Sequence, residues 1–176
     1  MAATIPGAGI TTPLTLTTAD NTDTLSLIST DADANAGPNL RMYRNSSSAA
    51  DDDFLGEIQF EGTNDNSEDV IYGQILTRIR DASDGTEDAQ LTLKTMVAGT
   101  AQNRLEFNES EAVFNDDSID VDFRVEGDGN THALFVRASD DHVGINEDAP
   151  DCRFHIKESV SVLSAVVIVI APPKST

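Results

Sequence analysis

Apolar residues recur at every second position through much of the chain. Leu14 and Leu16 alternate with threonines, Leu25 and Leu27 with Thr24 and Ser26, and Leu91 and Leu93 with Thr92 and Lys94. A period of two sends successive side chains to opposite faces of an extended backbone, so each run predicts a strand with one apolar face. Further strands are expected over 39–44, 54–60, 70–80, 103–107, 112–114 and 119–125, where β-branched and aromatic residues gather. Clusters of Asp, Asn, Gly and Ser separate them, at the spacing of about 8 to 12 residues that suits an all-β chain. No window combines a helical stripe with caps at both ends, so little or no helix is expected.

Residues 133–156 concentrate the pattern. Leu134 and Val136 alternate with Phe135 and Arg137, and Ser139-Asp140-Asp141 has turn chemistry. A second strand is expected at 142–145, a further turn at Pro150, and a third strand at 153–156. Strands this short cannot close a core alone, so they need neighbours from this chain or from copies of it. A faint repeat aligns 13–20 with 24–31, but two copies do not establish a solenoid. The uncharged run 160–171 is rich in Val and Ile, stops at Pro172-Pro173 and is shorter than the roughly 20 apolar residues of a membrane span. Alternation ceases from Ala165, which implies burial on both faces and predicts an assembly strand at an interface between chains.

Composition changes the picture in two ways. Aromatic residues make up only 5% of the 176 residues, with no Trp, which is thin for a monomeric core, yet 39% apolar content is too high for a disordered acidic chain. The apolar strips are therefore expected to be buried partly against partners, in a parallel homotrimer. The second change comes from charge: 31 acids against 11 bases give −20, which excludes nucleic acid as a partner, because phosphate backbones are held by Lys and Arg clusters. A single cysteine, Cys152, rules out an internal disulfide and reads as a turn residue, lacking the basic surroundings of a reactive thiol. The first residues lack a basic region and a continuous apolar run, so no secretory signal is expected.

Candidate chemistry is sparse. Asp81, Asp84, Glu87 and Asp88 put four carboxylates around Gly85 and invite a calcium reading, but the glycine is one position early for an EF-hand and no Glu closes the loop. A solvated acidic turn is favoured there, as at Asp51-Asp52-Asp53 and Asp116-Asp117. His132, His142 and His155 lie on or beside strands, and His155 could meet its copies around a three-fold axis to hold a metal; a half-buried polar group at a strand end is the preferred reading. No nucleophile elbow, zinc-protease motif or phosphate loop is present, and Gly127-Asp128-Gly129-Asn130 reads as a tight turn. Acid pairs such as Asp120 and Asp122 carry no information among 31 acids. No catalytic residue, cofactor site or metal site is assigned, and no enzyme activity is expected.

The segment 133–156, with Val143-Gly144-Ile145, then Pro150 and Phe154-His155-Ile156, resembles a segment of bacteriophage tail fibres and related virion appendages. That family usually carries a second Gly after the Ile, where this chain has Asn146. A second stretch resembles the fibre chains of marine phages: Gly37-Pro38, Tyr43-Arg44-Asn45-Ser46 and Leu55-Gly56-Glu57-Ile58, continuing through Asp84-Gly85 to Asn103-Arg104-Leu105. The resemblance spans most of residues 14–156 and implies a virion protein. Only 20 residues follow Ile156, too few for the chaperone or receptor-binding domain that often follows in such fibres, so a shaft, connector, short fibre or decoration protein is implied.

These readings combine into one expectation: an all-β chain of many short strands, in an elongated, trimeric, intertwined β fibre or a small β-sandwich. Its parts are N-terminal strands or an attachment segment (1–33), a central β domain (34–126), the Val-Gly-Ile segment (127–157) and the apolar assembly strand (158–176). It is expected to be a structural virion component bound to tail or capsid, with a host-surface glycan as a further partner and no membrane span. Alternatives are a capsid decoration protein, a glycan-binding or glycan-cleaving spike module, and an acidic cell-surface filament protein.

Overall fold

The alternation around Leu91 and Leu93 lies at the centre of a five-stranded antiparallel sheet. Its strands are β1 (Phe54–Thr63), β2 (Asp69–Asp81), β3 (Asp88–Val97), β4 (Thr100–Phe107) and β5 (Ala112–Phe114), paired in chain order. The structure, a computed structural model, describes residues 13–35 and 37–157. The expected strand over 160–171 lies outside the described residues.

Each connection follows from local chemistry. Between β1 and β2, Asn64 Oδ1 accepts from the backbone N–H groups of Asn66 and Glu68 at 3.0 and 2.9 Å, and Ser67 takes a left-handed φ of 63°. Ala98 and Gly99 turn β3 into β4 with φ of 46° and 81°, positive at both central positions as the tightest hairpins require. Asn108 Oδ1 accepts from the Ser110 and Glu111 N–H groups at 3.0 Å and returns the chain into β5.

A second sheet contains β6 (Phe123–Gly127), β7 (Asn130–Arg137), β8 (His142–Ile145) and β9 (Phe154–Ile156), in that order. The first three are antiparallel, and β9 joins β8 in parallel. The tight turn read at Gly127-Asp128-Gly129-Asn130 joins β6 to β7, with Gly129 at φ 78°. Phe114 and Phe123 touch where the two sheets meet, their ring centroids 4.8 Å apart.

Some expected strands are absent. The chain divides into two compact units between Tyr43 and Arg44, and among the described residues of the first unit none is in a strand. The strands expected around Leu14, Leu25 and 39–44 therefore do not form. Alternation gives a strand its faces but not its ladder, and here short side chains bond their own backbone instead. Asp20 Oδ1 accepts from the Thr22 N–H at 3.0 Å and from its hydroxyl at 2.6 Å, and Asp33 Oδ1 accepts from the Asn35 N–H at 2.8 Å. The strand expected over 119–125 begins only at Phe123. Val121 N–H bonds the Ile119 carbonyl at 2.8 Å, and Asn115 Nδ2 holds the same carbonyl at 2.8 Å, which makes this stretch a turn.

The buried core is very small. Phe135 is the one buried large hydrophobic residue among those described, against nineteen exposed ones. A β-sandwich would bury the inner faces of both sheets, and the described residues of one chain do not form that alternative: Phe60, Phe107 and Phe114 of the first sheet and Phe154 of the second are 44–61% exposed.

Candidate assembly surface

The register sorts the five-stranded sheet into two unlike faces. Ile58, Ile75, Leu93, Leu105 and Phe114 form one row across all five strands. Gly56, Thr77, Leu91, Phe107 and Ala112 form a parallel row two residues away, and Phe60, Gly73, Thr95 and Gln102 form the row on its other side. Residues two apart share a face, so these fourteen positions make one surface, and none of them is ionisable. The intervening rows make the opposite face: Gln59, Gln74, Lys94 and Asn103; Glu57, Leu76, Thr92, Glu106 and Val113; Phe54, Arg78 and Gln90.

Burial runs against polarity. Gln90, Thr92 and Glu106 on the polar face are 4–9% exposed, whereas Ile58, Phe60, Ile75, Phe107 and Phe114 on the apolar face are 36–58% exposed. The polar face is covered by its own long side chains. Arg78 Nε donates to Gln90 Oε1 at 3.0 Å, Gln90 Nε2 to Thr92 Oγ1 at 3.3 Å, and Gln74 Nε2 to Glu57 Oε2 at 3.2 Å. Among the described residues nothing comparable covers the apolar side, although Phe60 lies across Gly73: a Cβ there would stand 3.6 Å from its ring.

Bulges make this arrangement. Leu55, Tyr72, Arg80 and Arg104 lie at register shifts where a strand gains one residue over its partner. A single-residue slip exchanges the faces of all that follows, so the β4 bulge at Arg104 is what returns Gln102 to the same face as Leu105 and Phe107.

The Val-Gly-Ile segment is tightly built around two backbone positions. A Cβ on Gly144 would stand 2.5 Å from the Glu147 carbonyl oxygen, so only glycine fits. Asn146, where the resembling fibres carry a second Gly, takes φ 55°, and its side chain donates to the Lys157 carbonyl at 2.9 Å. Asparagine is among the few residues that tolerate this region. Pro150 is fully buried, and its carbonyl receives Arg137 Nη2 and lies 3.0 Å from His142 Nδ1. Arg137 also holds Asp140 through two bonds, and this pairing keeps the Asp140 carboxyl below its ordinary value.

Glu147, which sequence reasoning passed over, is the most enclosed carboxylate of the segment. Its side chain is 8% exposed, with Lys157 Nζ at 3.3 Å and His155 Nε2 at 3.9 Å. The Ala149 N–H donates to Oε1 at 2.8 Å, and that bond, assisted by Lys157 and His155, keeps its pKa below the ordinary 4.5 despite desolvation. Its place two residues before Ala149-Pro150 was the available signal, because an acid there can bond the backbone of its own turn.

Most of the residues weighed for metal or catalysis have partners of their own. Asp81 accepts from the Ser83 N–H at 2.8 Å and the Thr86 hydroxyl at 3.1 Å, and these bonds lower its pKa. Glu87 accepts from the Gly85 N–H at 3.1 Å, so this acidic turn holds itself together. Asp51 accepts from the Ala82 N–H at 2.9 Å, Asp52 pairs with Arg80 at 2.7 Å, and Asp53 pairs with Arg44 at 3.0 Å, which fastens the approach to β1 onto the end of β2. Asp117 accepts from the Asn103 N–H, and Asp122 from the Ala138 N–H at 2.8 Å. His132 sits edge-on to Phe135 at 4.9 Å, and His155 Nδ1 lies 3.2 Å from Asp151. Cys152 is exposed, its thiol 3.3 Å from the Phe154 carbonyl. Among the described residues no three His, Cys, Asp or Glu side chains come together as a metal-holding group, and no helix is long and apolar enough to cross a membrane. Comparison with protein-family models and with curated proteins finds no match to this chain.

Proposed function

We propose that this chain is a structural subunit of a phage virion: a fibre or other appendage that assembles as a homotrimer and attaches to tail or capsid. The observation that carries this reading is the small core among the described residues, where Phe135 is the one buried large hydrophobic side chain and nineteen others are exposed. A 176-residue chain that folded alone would bury far more. Well-registered strands without a core describe a protein completed by its neighbours, and the resemblance to fibre chains supplies the setting. The role proposed is mechanical, in keeping with described polar side chains that bond turns and strands.

The experiment is to purify phage particles from cultures that produce this protein and label them with a gold-conjugated antibody against residues 44–157. Gold at the tail or at appendages protruding from the capsid is the expected result. Labelling at regular positions over the shell surface would point to decoration instead, and particles that neither contain nor bind the protein would overturn the proposal.

A further inference from the structure

We infer that the uncharged face of the five-stranded sheet is where copies of this chain meet, and that the polar face remains in water. This rests on the proposed homo-oligomer and adds the surface that closes it. Charge selects the occupant. Two chains at −20 each repel wherever acids face one another, and taking an unpaired carboxylate out of water is costly. Nearly a quarter of the chain is charged, yet fourteen adjoining positions on this face carry no ionisable group, while the face behind them holds Glu57, Arg78, Lys94 and Glu106. A basic partner would find no charge here to pair with. A second copy finds its own neutral, apolar surface.

The size is adequate. Fourteen positions, each covering about 4.8 Å by 6.8 Å of sheet, give a flat footprint of about 460 Å² per copy, so two copies in contact through it remove about 900 Å² from water before side-chain relief is counted. That flat area lies close to the roughly 1,000 Å² expected of a specific interface, and side-chain relief adds to it. Phe60, whose ring crosses Gly73, and the central row ending in Phe114 supply aromatic contacts.

Thiol labelling tests the assignment in the full-length protein. In a Cys152→Ser background, Thr95→Cys reports on the uncharged face and Gln59→Cys on the polar face; both positions are exposed in a single chain. A small water-soluble maleimide should label the Thr95→Cys variant at least ten-fold more slowly than the Gln59→Cys variant at native mass, and both equally in urea. Equal rates at the two sites in a protein that is oligomeric by light scattering would overturn the face assignment and leave the oligomer standing. A monomeric mass for the Cys152→Ser parent would remove both.

Discussion

Gly144 and Asn146 show how single residues decide the Val-Gly-Ile turn. Gly144 has no room for a methyl group against the Glu147 carbonyl, and backbone cannot yield as a flexible side chain can. Gly144→Ala should therefore cost about 1–3 kcal/mol, as overpacking does, read as a lower urea midpoint; an unchanged midpoint would contradict the geometry. At Asn146 the sequence shows a departure from the fibre pattern, and the backbone shows why it is tolerated: φ is 55°, and the side chain bonds the Lys157 carbonyl and the Asn130 amide, each at 2.9 Å. The glycine was legible as a motif, whereas its steric reason depends on Glu147, three residues on, and could not be read locally.

At the scale of elements, alternation was reliable where a partner strand lay one turn away. The strands expected over 54–60, 70–80, 103–107 and 112–114 all fall within β1 to β5, because Asn, Asp and Gly at the turns bring each back to its neighbour. The same alternation at Leu14–Leu16 and Leu25–Leu27 yields no ladder, since a strand's pairing is not written in its own pattern. The bulges were equally invisible, and with them the joining of separate apolar stripes into one face. Glu147 supplies the test at this scale. Its folded pKa lies below the ordinary 4.5, so the stability it contributes is present above that value and lost as pH falls through the folded pKa. Thermal melts between about pH 6 and pH 3 should show wild type losing stability that Glu147→Gln already lacks, so that the two curves converge in acid. Parallel curves would show that the carboxylate contributes nothing.

At the scale of the molecule, the described residues combine extensive hydrogen-bonded sheet with a single buried large hydrophobic side chain. Sparse aromatics already pointed to an incomplete core, and five of the nineteen exposed large apolar side chains among the described residues gather on one face of one sheet, uncharged in a chain of −20. The Lys, Arg, Glu and Gln side chains that cover the opposite face make the asymmetry sharper, because they leave the open face as the poorer surface for water. An isolated chain in this conformation would expose Ile58, Phe60, Ile75, Phe107 and Phe114 together, the kind of contiguous apolar patch that marks an interface. The most direct measurement is the mass of the folded full-length protein by light scattering in dilute neutral buffer. The expected value is three times the 18.8 kDa of one chain; a mass of 18.8 kDa, held through a sharp cooperative unfolding transition, would contradict the account at its centre.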